Sequence, residues 1–423
     1  MKRTSLILTI LLTVQLVFSQ FTVIPTGINI PITGLEKSGD TLFIVSQDGY
    51  LAKTIDNGQT FTEVTSYGIS GYANFEFQIR DGIYYYMATQ GNPYEHNYIF
   101  KSEDYGDTWD MLYDTTGFFK SFHIVDSTFG AMGGTFGGYA MTVENDTSWA
   151  LDTLAGTLTQ STSYGDSTLI FMSTLGFCLR TEDRGQSWNW GYSNSSVSKE
   201  LEFINEDTIY SAHIEGPSKS HFCYSFDNGN NFNTVYLGHN SQTSQYEYTS
   251  QVYDFSFDDA AHGYMIGYMY DSLPQSGGYD IEQGVIFETS DYGQTWTPHL
   301  TGFSEEFYSF QRMNDSIYFI GGANGLLLKW NRNIPFSGTS GLAKDKATIE
   351  FDLYPNPASN KTTLQIDKRV LPVDLKIYNQ SGQLLKSILI KMGNITVNLE
   401  EFPSGIYFLE VQGVQKKLII QDD

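Results

Sequence analysis

The sequence predicts an all-β chain: a seven-bladed β-propeller followed by a small β-sandwich C-terminal domain. Three observations carry this expectation. The 423 residues hold 40 Gly, 29 Tyr and 29 Phe against 17% charged residues, the composition of many short strands joined by turns. An eight-residue turn phrase recurs between residues 54 and 296 at the spacing of propeller blades. Beyond residue 335 the repeats give way to plain apolar/polar alternation, the pattern of a second, smaller sheet structure.

The first element, residues 1–20, "MKRTSLILTILLTVQLVFSQ", has the design of a cleaved export signal. Lys2 and Arg3 form a basic start, Leu6 to Phe18 an apolar run short for a bilayer, and Ser19 and Gln20 a small polar end. No second apolar segment follows, so no transmembrane segment is expected once the signal is removed. Loss of Lys2 and Arg3 takes the formal charge from −24 to −26, two basic residues fewer. That field repels phosphates and anionic headgroups, which argues against nucleic acid and acidic lipid as partners. Cationic ligands, divalent ions and neutral polymers stay open.

The second element is the repeat, residues 21–335. Complete turn phrases read "TIDNGQTF" (54–61), "SEDYGDTW" (102–109), "TEDRGQSW" (181–188), "SFDNGNNF" (225–232) and "TSDYGQTW" (289–296). In the worn copy "TVENDTSW" (142–149), Glu144 replaces the Asp and Asp146 the Gly. Ahead of the copies run seven aromatic-rich strand phrases such as "GDTLFIVS" from 39 and "NDSIYFIG" from 314, the last without a finished turn. Seven blades follow, with six or eight left open by the incomplete terminal unit. The strand near Phe21 closes the ring by completing the last blade.

Each aspartate stands two residues before a glycine. Such a carboxylate accepts amide hydrogen bonds of its own turn while the glycine supplies positive φ. Asp56 with Gly58, Asp104 with Gly106, Asp183 with Gly185, Asp227 with Gly229 and Asp291 with Gly293 therefore read as structural turn clamps, each closed by an apolar Trp or Phe. A catalytic carboxylate is needed once or twice at one pocket, not at every blade.

The pattern S/T-x-D-x-G-x-T/S-W/F resembles the Asp-box, or BNR repeat, of bacterial sialidases, xyloglucanases, sortilin-type receptors and photosystem assembly factors. The sialidase resemblance implies an arginine triad for a substrate carboxylate, a Tyr nucleophile with a Glu, and an acid/base Asp. The repeat region holds Arg80, Arg180, Arg184, Arg312 and Arg332. Arg184 lies inside a turn phrase, and Arg80 and Arg312 precede turns on the Asp-box face, so the triad does not assemble on the opposite face. Xyloglucanases of this repeat type use two propellers, and the chain has length for one. No catalytic residue is assigned, although two carboxylates across a cleft suffice for a glycoside hydrolase or lyase, which stays the alternative.

Function is expected on the opposite rim, where loops vary most. The candidate ligand-binding residues are Tyr94, Glu95 and His96 in "QGNPYEHNY", His213 and Glu215 in "HIEGPSKS", and Tyr270, Asp271, Tyr279, Asp280 and Glu282 in "YDSLPQSGGYDIEQ", with Tyr246 and Tyr248 nearby. Exposed aromatics among carboxylates suit a polysaccharide or a surface protein. No metal-ligand spacing such as H-E-x-x-H and no dinucleotide or P-loop phrase occurs, so neither metal nor cofactor is assigned. Cys178 and Cys223 precede consecutive turn phrases by three and two residues. That offset puts them on opposite sheet faces and favours two buried thiols over a bridge.

A Ser/Gly/Lys-rich linker, residues 336–349, leads to the last element, residues 350–423. Pro355 and Pro357 deny backbone donors and Asn356 favours a turn, so "YPNP" beside Tyr354 sets the entry to the first strand. Gly382 marks a hairpin, Gly405 opens the strand of Tyr407, and Lys416 and Lys417 begin the closing "KKLII". "LYPNPA", "IYNQSGQLL", "SGIYFLEV" and "KKLII" together resemble the type A C-terminal sorting domain of the type IX secretion system of Bacteroidota. The resemblance implies that residues 350–423 engage that secretion machinery, leaving a product secreted or held on the outer-membrane surface of a Gram-negative cell.

Overall fold

The computed structural model describes residues 20–336 and 351–421, apart from 47–48, 65–72, 91–95, 116–118, 135–138, 145–147, 154–157, 175, 193–196, 217–218, 241–244, 247, 271–280, 367–372, 381–382, 392 and 412–413. Seven antiparallel blades follow one another along the chain. Their inner strands are Ile32–Ser38, Ala73–Arg80, Phe119–Asp126, Leu158–Tyr164, Val197–Asn205, Thr249–Phe257 and Phe307–Arg312, for blades 1 to 7 in order. Phe21–Val23 is the outer strand of blade 7 and pairs with Leu327–Asn331, so the ring is closed by the strand that begins it. Closure removes the two sheet edges an open stack would expose.

Blade 3 carries the worn turn phrase, and its sheet divides in two. Phe119–Asp126 pairs with Phe129–Gly134, and Tyr139–Glu144 pairs separately with Ser148–Thr153.

In the five intact turns one bonding scheme repeats. Asp291 Oδ1 accepts the amide of Thr295 (2.9 Å), Oδ2 accepts the Thr295 hydroxyl (2.6 Å), and Thr289 donates to Oδ1 while accepting the Gly293 amide at 3.0 Å. Asp56, Asp104, Asp183 and Asp227 accept equivalent bonds. The Thr60 and Thr108 hydroxyls hold the Asp56 and Asp104 carboxyls down to about 2. Gly58, Gly106, Gly185, Gly229 and Gly293 have φ between 76° and 87°, and the first four also donate their amides to the Ser or Thr hydroxyl four residues earlier. Positive φ extends to the residue before each glycine: Asn57, Tyr105, Arg184, Asn228 and Tyr292 lie between 57° and 65°.

Two of these turns depart from the expectation of one uniform clamp. Gly185 is half-buried where the other four glycines are buried. Its turn abuts blade 3, the worn blade, which it meets through Arg184 bonded to Asp126 at 2.9 Å. Gly229 is buried at the seam of blades 4 and 5, where an added Cβ would stand 3.2 Å from Ile170 and Ile209, but its turn is clamped by an amide in place of a hydroxyl. Asn231 Nδ2 donates to Asp227 Oδ2 at 2.7 Å, and Phe232 closes the phrase without a ring donor. By contrast, the indole N–H groups of Trp109 and Trp296 donate to the carbonyls of Gly106 and Gly293 (3.2 and 2.9 Å), locking ring to turn.

Aromatic and aliphatic side chains fill the seams between blades. Phe43, Tyr84 and Trp109 join blades 1 and 2, and Phe222, Phe255 and Phe287 join blades 5 and 6. Cys178 and Cys223 are buried and unbridged, and burial pushes each thiol up to about 12.

The C-terminal strands form two sheets, one of Phe351–Tyr354, Lys361–Ile366 and Asn394–Asn398, the other of Leu384–Ile390, Val373–Asn379, Gly405–Val411 and Val414–Ile420. They enclose one core that includes Leu364, Leu375, Leu409 and Leu418. Asn356 joins the two ends of this unit: its Nδ2 donates to the Lys417 carbonyl (2.7 Å) and its Oδ1 accepts the Ile419 amide (3.0 Å). Lys416 reaches Asp352 at 2.7 Å, and Tyr407 donates to the Pro403 carbonyl at 2.8 Å. Gly382 lies outside the described residues.

Candidate functional site: the channel and its long-loop mouth

Every inner strand carries a register shift near its start: at Ile32/Gly34, Ala73/Glu76, Phe119/Ser121, Leu158/Gln160, Ser198/Glu200, Val252/Asp254 and Phe307/Ser309. A bulge leaves one residue unpaired and re-aims its side chain. The extra residues of blades 5, 6 and 7 are Lys199, Tyr253 and Tyr308, and they meet in that order around the mouth. Lys199 Nζ lies 5.1 Å over the Tyr253 ring, and Tyr253 meets Tyr308 edge-on at 5.1 Å. Gln251 fixes the ledge, its Oε1 accepting both the Tyr253 hydroxyl (2.9 Å) and the Tyr268 hydroxyl (3.0 Å). Tyr308 donates to Glu306.

Below the mouth the inner strands turn polar side chains into the channel. Glu76 Oε2 accepts the Phe122 amide of the next blade and Asp254 Oδ2 the Phe310 amide, each at 2.6 Å. Gln78 brackets Ile124, accepting its N–H and donating to its carbonyl. These bonds stitch neighbouring inner strands together. Burial raises the Glu76 and Asp254 carboxyls to about 8 and those of Glu36 and Glu202 to about 7. Glu200 rises well above its ordinary value through burial and repulsion by Asp254. Glu202 is ringed by protein yet exposed to channel water, which tempers its shift.

At the far end of the channel Arg80 donates to Ser163 Oγ (2.9 Å) and to the Ile124 carbonyl (3.2 Å), and His123 Nε2 lies 2.8 Å from Ser163 Oγ. Burial and the Arg80 charge depress His123 to about 3, so it is a poor base at neutral pH. The other four arginines of the ring carry carboxylate partners: Arg180 with Glu182, Arg184 with Asp126, Arg312 with Asp315, and Arg332 with Asp258. No arginine triad converges among the described residues.

The loop candidates separate into three groups. His96 sits on the rim half-exposed, paired to Asp114 at 3.0 Å and stacked on Tyr98, and Glu215 is exposed at the end of its strand. Tyr270, Tyr248 and His213 are corrections to the expectation of exposed loop residues. Tyr270 is 7% exposed with its edge on Tyr268, and Tyr248 is buried against Phe287. His213 is fully buried, because the second strand of blade 5 (Thr208–Glu215) continues through it. Tyr94, Glu95, Asp271, Tyr279 and Asp280 lie outside the described residues, as do Tyr246 and Glu282 beyond their backbone. A cleft of about 640 Å³ at the closure seam, lined by Thr22, Ile24, Gly58 and Lys329, contains none of these candidates.

Residues 352–421 match the family model of the secretion system C-terminal sorting domain. Beta-agarase A of Zobellia galactanivorans is 31% identical over 98 residues, 22% of this chain and 18% of that protein, so the chain spans less than a fifth of that relative's length. YCF48 from Cyanidioschyzon merolae is similar in structure with a TM-score of 0.55 at 16% identity, covering 74% of this chain and 99% of that one. The GH74 enzyme of Niastella koreensis is similar with a TM-score of 0.57 at 10% identity, covering 96% of this chain and 75% of that one. At these identities the likeness shows the propeller fold alone. The sorting domain places the protein among cargo of the type IX secretion system, delivered to the cell surface or the extracellular space. No helix among the described residues is long and apolar enough to cross a membrane.

Proposed function

We propose that the chain is an exported binding module of the Asp-box propeller type, which takes a neutral, hydroxyl-rich polysaccharide at the long-loop mouth of its channel. The observation that carries this reading is the ledge of Lys199, Tyr253 and Tyr308 braced by Gln251. The half-buried Tyr253 and Tyr308 rings bring apolar surface to sugar C–H groups, and the surrounding amide, ammonium and carboxylate groups match hydroxyls. His96 and Glu215 on the same rim extend the surface for a long polymer. Export proceeds by removal of residues 1–20 and passage through the type IX machinery by residues 350–423, with the ring secreted or held on the outer-membrane surface.

A second reading, a glycoside hydrolase or lyase, is favoured by one observation: Glu200 and Asp254 stand on adjacent inner strands with both carboxyls raised, Glu200 by burial and then by the Asp254 charge. A carboxyl kept protonated at neutral pH is what a general acid requires. One experiment separates the two. The mature protein is applied to a glycan array, and each hit is followed by calorimetry and by assay for shortened chains. Binding without cleavage, lost in Tyr253→Ala/Tyr308→Ala, supports the module. Cleavage lost in Asp254→Asn supports the enzyme. No glycan retained, with capture of a surface protein instead, overturns both.

A further inference from the structure

The C-terminal domain meets the ring at the turns of blades 5 and 6. Lys391, the residue after the strand Leu384–Ile390, reaches Asp207 Oδ2 at 2.6 Å and lies 5.6 Å over the Phe226 ring. Asp374, on the paired strand Val373–Asn379, faces the Tyr292 hydroxyl; burial and then this carboxylate raise the phenol. Asp207 lies in the turn between the first two strands of blade 5, Phe226 in that blade's Asp-box phrase, and Tyr292 in the phrase of blade 6. Ile209 pairs with Ser225, so the turn at Asp207 and the Asp-box phrase share one end of the blade, and the Asn228 amide joins them by donating to the Asp207 carbonyl at 3.0 Å. The contacts therefore belong to the Asp-box face, opposite the long-loop mouth.

On the other side of the contact, Val373 pairs with Ile390 and both are fully buried, so their sequence neighbours Asp374 and Lys391 stand together at one outward corner of the sheet. Two turn tyrosines show the effect of this corner on the ring. Tyr105 holds the same place in the phrase of blade 2 as Tyr292 in blade 6, with φ of 60° and 65°, yet Tyr105 is 66% exposed and Tyr292 7%. The same residue in the same turn is covered where Asp374 stands against it. Charge selects the orientation. The ring, residues 21–335, holds 38 acidic and 12 basic residues, while residues 350–423 hold 9 and 8. The corner offers its cation to a ring carboxylate and its carboxylate to a ring hydroxyl, which avoids a clash of like charges.

We propose that the C-terminal domain docks as a folded unit on the Asp-box face of blades 5 and 6, a dock that lasts while the linker is whole and leaves the long-loop mouth uncovered. A half-exposed ion pair and a cation over a ring are each weak. The 14 residues of the 336–349 linker, however, hold the domain near the ring at an effective concentration on the order of millimolar. A weak contact persists under that tether and is lost by dilution once the tether is cut. The docked corner belongs to the edge strand Leu384–Ile390 and its neighbour, whereas Val414–Ile420, which carries "KKLII", forms the opposite edge of the same sheet. Docking therefore leaves that closing strand turned away from the ring, toward the secretion machinery. The inference is independent of what the mouth binds.

The test uses the mature chain with a specific protease site placed within residues 336–349. A carbodiimide, which joins an amine to a carboxylate without a spacer, is expected to link Lys391 to Asp207 in the whole chain, read by mass spectrometry of the digest. Cutting the linker at micromolar protein lowers that link about tenfold or more. Tetranitromethane nitrates Tyr105 faster than Tyr292 in the whole chain, and cutting speeds the reaction at Tyr292. Lys391→Glu speeds it without cutting, and the exchanged pair Asp207→Lys/Lys391→Asp restores protection. Should the exchanged pair fail to fold, the cross-link and the nitration of the chain with its native contact residues decide. No link between Lys391 and Asp207 in the whole chain, a link unchanged by cutting and dilution, or a Tyr292 as slow after cutting as before overturns the proposal.

Discussion

At the scale of a residue, the turn aspartates are spent on their own turns. Every oxygen of the Asp291 carboxylate is engaged within four residues of itself. The glycine two residues on has two duties. Gly293 has φ of 76°, and a Cβ there would overlap Cε1 of Phe222 on the preceding blade and stand 2.7 Å from its Cδ1. Gly82 has φ of 77° in a turn with nothing within 4 Å. Gly293→Ala therefore combines backbone strain with overpacking and costs about 3 kcal/mol, whereas Gly82→Ala carries the strain alone, about 1 kcal/mol. Urea unfolding of the two variants checks this; equal losses would mean that the glycine serves the turn and not the seam.

At the scale of an element, the worn turn of blade 3 shows what the phrase contributes. Its outer pair, Tyr139–Glu144 with Ser148–Thr153, is a separate two-stranded sheet, while the outer strands of blades 4 and 5 are bonded into four. The blade 3 pair lies beside Phe129–Gly134 without a ladder bonded to it, and a two-stranded hairpin is marginal in water on its own. Amides of residues 139–153 are expected to exchange faster than those of Phe177–Thr181 and Lys219–Ser225 by hydrogen-exchange mass spectrometry, and restoring "TVDNGTSW" by Glu144→Asp, Asp146→Gly is expected to slow them. Equal exchange across the three blades would contradict the link between phrase and sheet.

The elements were largely legible, since turn phrases and aromatic strands repeat at fixed spacing and the strand at Phe21 had no other edge to fill. The mouth of the channel was not, because a bulge slips the two-residue period that strand reading relies on. A signal was nonetheless present. Gly267 sits opposite the blade 6 bulge, where a Cβ would overlap the Gln251 carbonyl oxygen, and Gly133 and Gly321 face the bulges of blades 3 and 7. A glycine within an apolar strand marks a close backbone approach. His213 was misplaced for a simpler reason: "HIEGPSKS" reads as a loop because of Gly216 and Pro217, yet the strand runs to Glu215 before turning.

At the scale of the whole molecule, closing seven inner strands into a ring gathers carboxylates that an open sheet would hold apart. Glu36, Glu202 and Asp254 come from blades 1, 5 and 6, and the first two raise the Asp254 carboxyl across the channel, adding to burial. Their pKa values in the folded ring, about 7 for Glu36 and Glu202 and about 8 for Glu76 and Asp254, exceed the ordinary 4.5 and 3.8. Between about pH 6.5 and 8 the unfolded chain has released these protons while the folded chain retains part of them. The folded state then binds more protons, so its stability falls as pH rises through this window. Below about pH 6.5 the sign is contested, because buried His123, depressed to about 3, stays neutral in the fold while the unfolded imidazole takes up its proton. Acidification from pH 8 to 6.5 is therefore expected to raise the urea midpoint, and Glu202→Gln/Asp254→Asn to flatten that slope while leaving the midpoint at pH 8 higher than in the parent. Glu202 contributes the smaller share because it is open to channel water. A midpoint that rises with pH would contradict the proton uptake of the folded ring, and a slope that survives both substitutions would assign the coupling to groups other than Glu202 and Asp254.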